Sequence, residues 1–291
     1  MTNPLKAGFF GLGVMGYPMA LNLAKQGHLL GAWNRTRSRA IDFEASAGTP
    51  SFSSPQALAN EADILILCVS RDADVLEVID QILPALCKGK IVIDCSTVSQ
   101  QTALIAAERI LKQGAEFLDA PVTGGVEGAK AGTLTLMVGG ETLTLERARP
   151  LLEGISQRIV HMGPTGSGQA TKAVNQVLCA GINEAVTEAL AFAEALSLNL
   201  DHVIEAISGG AAGNWFLDKR GHTMTQGVFN PGFKLALHHK DLKIVESMAQ
   251  RAGVKLPLTD ITRQHYETLL SLGYGEEDIS ALYRLKRPKG K

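Results

Sequence analysis

The chain has few cysteines and spaces them widely. Cys68, Cys87, Cys95 and Cys179 form no C-x-x-C pair in 291 residues. That argues against a disulfide framework or a paired-cysteine metal site and leaves reduced, mostly buried thiols of a cytosolic protein. A charge surplus is missing too. Lys and Arg number 28 against 29 Asp and Glu, a net charge of −1, so no global basic field invites nucleic acid. No apolar run approaches the roughly 20 residues of a membrane span. The N-terminus turns at once into a glycine-rich strand and turn, without the apolar core of an export signal, so the expected location is cytoplasmic. The pair His238-His239 is adjacent and faces apart on a helix or strand, and no metal site is expected. Repeats and low-complexity tracts are absent.

What is present is core. Hydrophobic residues make up 45% of the chain and charged residues 20%, which suits one large or two medium globular domains. The first half reads as βαβ. A strand at Lys6–Phe10 leads into Gly11-Leu12-Gly13-Val14-Met15-Gly16, then a helix over Tyr17–Gln26 and a strand over Leu29–Trp33. A bare G-x-G-x-x-G is weak evidence among 30 glycines, but strand, glycine turn, helix and strand in this order read as a dinucleotide fold. The glycines let backbone N–H groups at a helix start approach a pyrophosphate, where the helix dipole favours negative charge. Apolar strands follow at 64–69, 90–94 and 115–119, separated by helices near 56–61, 74–83, 99–112 and 142–154. Functional residues of such a sheet gather at the carboxyl ends of its strands, here Asn34–Arg37, Val69–Arg71, Ser96-Thr97 and Asp119–Gly125. Thr97 is read either as a cofactor contact or as the cap of the helix starting near Ser99.

The end of the second strand carries no carboxylate. An NAD site usually places Asp or Glu there, on the ribose 2′-hydroxyl. Here stand Asn34-Arg35-Thr36-Arg37, with nothing to repel a 2′-phosphate and two guanidiniums suited to bind one. The expected cofactor is NADP, with NAD as the other one the fold admits. The competing reading is a solvated basic loop before a helix.

From about Thr165 the strand pattern stops. The turn-rich Met162–Gly168 joins a dinucleotide-binding domain, 1–164, to a helical domain, 165–291. The fold class is therefore α/β, a Rossmann-type doubly wound sheet followed by an all-helical domain. A long apolar helix runs from Gly168 to Ser197, followed by helices near 201–208, 213–226, 240–252, 257–271 and 276–284. Such a helix is too hydrophobic for a surface element and implies a homodimer or homotetramer. Gly168, Lys172, Asn175 and Cys179 share one face of it, at spacings i, i+4, i+7 and i+11. Their neighbours Ala170, Ala173, Val174, Val177, Leu178 and Ala180 look made for burial. Desolvation favours a neutral amine, so Lys172 is a candidate general acid/base. The alternative is a lysine that snorkels to the surface. Thr123-Gly124-Gly125 reads as a carboxylate nest or a helix cap. Lys240-Asp241 is placed at a helix start.

Gly8–Leu23, Asp119–Gly125, Gly168-Gln-Ala-Thr-Lys-Ala-Val-Asn175 and Lys240-Asp-Leu242 occur here in one order. With them the chain resembles, over nearly its whole length, the β-hydroxyacid dehydrogenase family. The resemblance implies reversible hydride transfer between NAD(P) and a small 3-hydroxy acid or its semialdehyde. It makes Lys172 the acid/base and Asn175 a substrate ligand. It makes Thr123, Gly124 and Gly125 the grip on a substrate carboxylate, and puts Lys240 beside the nicotinamide and substrate. Trp215 and Phe216 have no strong match in the family, and are read as pocket-narrowing or as packing. Two alternatives stay open: a non-catalytic NADP-binding module, and an imine reductase on the same scaffold. Retention of Lys172 and Asn175 together argues against the first, and Lys172 against the second.

Overall fold

The computed structural model describes residues 5–287. The chain divides into two compact units, Met1–Lys172 and Ala173–Lys291.

The first unit is built on one eight-stranded sheet. Its strands are β1 (Ala7–Phe10), β2 (Leu29–Trp33), β3 (Ile64–Leu67), β4 (Ile91–Asp94), β5 (Glu116–Asp119), β6 (Val122–Thr123), β7 (Leu134–Gly140) and β8 (Ser156–Gly163). The spatial order is β2-β1-β3-β4-β5-β7-β6, with β8 pairing β7. The first five strands run parallel, β7 runs antiparallel to β5 and β6, and β8 lies parallel to β7. Strands β6 to β8 extend the sheet beyond the run of strands expected from sequence. The helices of this unit are α1 (Gly16–Lys25), α2 (Arg37–Ala47), α3 (Pro55–Glu61), α4 (Asp72–Ile82), α5 (Gln100–Leu111), α6 (Gly125–Ala131) and α7 (Thr142–Leu152).

Burial explains the parallel core. Every residue of β1, β3 and β4 is buried, as strands covered on both faces require. Alternate side chains serve opposite layers. Phe9, Ile64, Ile66, Ile91 and Ile93 pack with α1 and α7. Phe10, Leu65, Leu67 and Val92 pack with α3, α4 and α5. Strand order reverses between β1 and β3, the place where such sheets open a crevice at their carboxyl ends.

Helix α8 (Ser167–Ala195) begins in the first unit and is the first element of the second. The second unit adds α9 (Leu200–Ser208), α10 (Trp215–Thr225), α11 (Leu235–Ala252), α12 (Pro257–Ser271) and α13 (Tyr283–Lys286), with a 3-10 turn at Ile279–Leu282. Its core joins Ala180, Leu190, Ile204, Leu217, Leu242, Tyr266 and Tyr283. Among the described residues, no helix is long and apolar enough to cross a membrane.

Three expectations need correction. Lys240-Asp241 does not start a helix, because α11 begins at Leu235. The cysteines are not mostly buried: Cys95 is, Cys87 is exposed, and Cys68 and Cys179 are intermediate. Val174 and Leu178, read as made for burial, are each 61% exposed within one chain.

Candidate active site

The glycine turn is set by close approach. Gly11 has φ +102°, and a Cβ there would lie 2.3 Å from the Cys68 carbonyl. A Cβ on Gly16 would lie 2.0 Å from the Gly11 carbonyl, so neither position admits a side chain. Gly13 is the opposite case: its Cβ would meet no atom within 4 Å. It leaves backbone open in front of the α1 N-terminus, the cradle a pyrophosphate needs. Leu12 and Gly16 are buried, Met15 is half-buried, and Val14 is exposed.

Asn34 locks this turn to the end of β2. Its Oδ1 accepts from the Leu12 N–H at 2.9 Å, and its Nδ2 donates to the Thr36 carbonyl at 3.0 Å. A groove opens here, bounded by Gly11, Gly13, Asn34, Arg35, Thr36, Arg39, Cys68, Val69, Ser70 and Asp74. It lies at the switch point between β1 and β3. Asn34–Thr36 is a short loop before α2, which starts at Arg37, with Arg35 and Thr36 exposed. Arg35 is 64% exposed and pairs with Asp74 at 2.8 Å, and Arg71 reaches the same carboxylate. These guanidiniums hold the Asp74 carboxyl below its ordinary value, with the Arg71 hydrogen bond the largest cause.

Ser96-Thr97 follows β4. The cap of α5 is Ser99, whose hydroxyl accepts from the Thr102 N–H, so Thr97 is not that cap. Ser96 Oγ accepts from the Val69 N–H at 2.9 Å, tying this loop to the groove wall. Below it lies the fully buried Asp94, whose Oδ1 accepts from the Ser96 N–H while Oδ2 has no partner. Burial pushes this carboxyl up to about 7, and the nearby Asp119 and Asp72 add to the rise. The folded chain therefore holds a proton there that the unfolded chain releases near 3.8. Stability from this group is complete below that value, declines as pH rises through about 7, and is flat above. Asp94→Asn is expected to stabilise the protein at about pH 8, by up to roughly 4 kcal/mol, and to give no gain at about pH 4. Thermal unfolding of both proteins at the two pH values checks this; a gain at low pH only would contradict it.

Lys172 is 8% exposed, and its Nζ donates to the Val122 carbonyl at 2.9 Å. It does not snorkel. That bond sets the amine beside β6, one residue before Thr123-Gly124-Gly125. Gly124 and Gly125 take φ +127° and +65°, and α6 starts without a side-chain cap. Asn175 lies three residues further along α8. Its Nδ2 donates to Gln176 Oε1 at 2.7 Å and to Cys179 Sγ at 3.5 Å. Gln176 in turn donates to Asp241 Oδ2 at 2.6 Å. Lys240 Nζ lies 2.9 Å from Asp241 Oδ1, an ion pair in the second unit.

Sequence reasoning passed over Asn34's tether to Leu12, the Asp74 partner of Arg35, and the Gln176–Asp241 pair. Only Gln176 carried a signal: a polar side chain amid the apolar run of α8. No group of three or more His, Cys, Asp or Glu among the described residues could hold a metal ion.

The sheet order and the groove at its switch point define a dinucleotide-binding protein. Residues 6–163 match the family described as the NAD binding domain of 6-phosphogluconate dehydrogenase. Residues 166–286 match the one described as NAD-binding of NADP-dependent 3-hydroxyisobutyrate dehydrogenase. The 2-hydroxy-3-oxopropionate reductase of Escherichia coli is 37% identical, over 96% of each chain. The NAD-dependent L-serine dehydrogenase of Pseudomonas aeruginosa is 35% identical, over 96% of this chain and 97% of its own. A structure of Mycobacterium tuberculosis 3-hydroxyisobutyrate dehydrogenase with L-serine superposes with a TM-score of 0.88, at 32% identity, over 98% of this chain and 99% of its own. The chain belongs to the β-hydroxyacid dehydrogenase family and is an NAD(P)-dependent 3-hydroxyacid dehydrogenase.

Proposed function

We propose that the chain interconverts a small 3-hydroxy acid and its semialdehyde with NADP(H), and that Lys172 is the acid/base. Candidate substrates are tartronate and methylmalonate semialdehydes, which give 3-hydroxy acids, and the related succinic semialdehyde and glyoxylate, which give a 4-hydroxy and a 2-hydroxy acid. The observation that carries the reading is the buried Lys172 amine, bonded to the Val122 carbonyl at the edge of the Thr123-Gly124-Gly125 turn. An amine so placed has left water and holds a fixed direction.

When bound, the nicotinamide supplies or accepts the hydride. The chain does the rest. In the Gly11–Gly16 turn, Gly11 and Leu12 donate their N–H groups to Trp33 and Asn34 and so set its shape. Gly13, Val14, Met15 and Gly16 offer theirs to the pyrophosphate, and Asn34, Arg35 and Thr36 hold the adenosine end. Val69 and Thr97 border the same carboxyl edge of the sheet. The Thr123 hydroxyl and the Gly124 and Gly125 N–H groups take the substrate carboxylate. Asn175 holds substrate, its amide direction set by Gln176. In reduction, Lys172 as ammonium stabilises the oxygen on which charge grows and gives it a proton. In oxidation, the neutral amine takes the hydroxyl proton. A steady-state screen of the four carbonyl substrates with NADPH and NADH tests the reading. Saturable turnover with at least one is expected, and none with any would overturn it.

The 165–291 segment is proposed to carry the self-association surface as well. Val174 and Leu178 on α8, with Leu258 and Ile261 on α12 at 49% and 46% exposure, are large apolar groups left in water. Gly181 of α8 approaches Leu258: a Cβ there would lie 3.0 Å from its Cδ2, so the two helices share this face. A second copy covers it. Light scattering at micromolar concentration is expected to give at least twice the chain mass. A clean 30.9 kDa particle would refute it.

A further inference from the structure

We infer that Gln169 is a positioning residue that joins the Lys172 helix to the wall of the cofactor groove. The inference rests on the reading of Lys172 given above. Gln169 is 1% exposed and lies three residues before Lys172. Its side-chain amide closes on the backbone of the loop after β4. Nε2 donates to the Ser96 carbonyl at 2.8 Å, and Oε1 accepts from the Val98 N–H at 3.2 Å. The two bonds bracket Thr97 as a neighbouring strand would.

The link continues into the groove. Ser96 Oγ accepts from the N–H of Val69, a groove-lining residue. Helix α8 is thus two hydrogen-bonded steps from the groove wall, through Gln169 and Ser96.

The helix start is also pinned from the other side. Asp119, at the end of β5, accepts from the Gly166 N–H at 2.7 Å and the Gln169 N–H at 2.9 Å. Gly168 permits this approach, since a Cβ there would lie 2.3 Å from the Met137 carbonyl. Asp119 fixes where α8 begins. Gln169 fixes how its first turn meets the Ser96–Val98 loop. Only a primary amide of this length supplies a donor and an acceptor together: glutamate lacks the donor, leucine lacks both, and asparagine is a methylene short. Binding at the loop and placement of the amine are then one geometry. A displacement of about 1 Å in a reacting group costs on the order of a hundredfold in rate.

The test uses the full-length protein and the variants Gln169→Leu and Gln169→Glu. Three quantities are read: kcat, the NADPH Kd from quenching of protein fluorescence, and the unfolding temperature without cofactor. Both variants are expected to lose kcat by about ten- to a hundredfold and to bind NADPH about fivefold more weakly. A purely structural role would lower the unfolding temperature and leave both other quantities within twofold of the parent; that result, or movement of only one of the two, overturns the link. Ser96→Ala keeps both Gln169 bonds and removes only the hydroxyl that Val69 uses, so it serves should the Gln169 variants fail to fold. It is expected to weaken NADPH binding about fivefold, and an unchanged Kd overturns the link. Lys172→Ala is measured alongside. If it keeps its rate, the acid/base reading fails, while the Kd values still judge the clamp.

Discussion

Lys172→Ala is expected to lose 10²–10⁴-fold in kcat, about the worth of a positioned general acid/base. NADPH binding should hardly change, because the proposed phosphate contacts lie at the Gly11–Gly16 turn and the proposed adenosine contacts at Asn34 and Arg35. The variant should also fold. Its lost side chain donates to the Val122 carbonyl, while the α8 start keeps its Asp119 anchors. Lys172→Arg should rescue little. A guanidinium keeps the charge but cannot act as a base near neutral pH, and its planar fork does not fit a site shaped for one amine. Steady-state rates with isotopically labelled cofactor establish that chemistry limits turnover. Under that condition, a variant that keeps more than a tenth of kcat removes Lys172 from the mechanism. Lys240 would be the next candidate.

The second large effect is expected at the other end of the groove. In Asn34→Asp/Arg35→Ala the ratio of kcat/KM for NADPH over NADH should fall about a hundredfold and favour NADH. The exchange replaces an attractive cation by a carboxylate, and charge-assisted hydrogen bonds to phosphate are each worth about 1.5–3 kcal/mol. The structure makes the exchange feasible. Asn34 acts on the turn through Oδ1, which accepts from Leu12, and aspartate keeps that acceptor. Arg35 is largely exposed, so its removal costs little packing. Its pairing with Asp74 opposes a 2′-phosphate, but Arg39 also faces the groove and Arg71 shares that carboxylate. Equal or better kcat/KM with NADH in the unaltered protein would contradict the assignment.

The parallel core was legible because its code is short range. Ile64–Leu67 and Ile91–Asp94 are continuous apolar or near-apolar runs, and the glycine turn sits between strand and helix. Strand β8 lacks such a code. Five of its eight residues are exposed and it borrows its order from β7, so no alternation marks it. The start of α11 hides for another reason. Its cap position is Lys234, without a side-chain cap, and Leu235 N–H instead finds the Glu277 carbonyl, a partner far along the chain. In the site, Lys172 showed itself as a cation amid apolar neighbours. The exposure of Val174 and Leu178 did not, because an apolar residue reads the same whether its own chain or another covers it. Gln169 stood inside a recognised motif, but its partners lie some seventy residues away, and spacing along one helix says nothing of them.

The most direct measurement of the central claim follows one atom. The protein is incubated with a semialdehyde substrate and NADPH carrying deuterium at the transferable position of the nicotinamide, and the product is examined by mass spectrometry and NMR. One deuterium on the carbinol carbon of the 3-hydroxy acid, with none exchanged to solvent and almost none formed by Lys172→Ala, is the expected result. Product without the label, or the same labelled yield from Lys172→Ala in the same time, would contradict it.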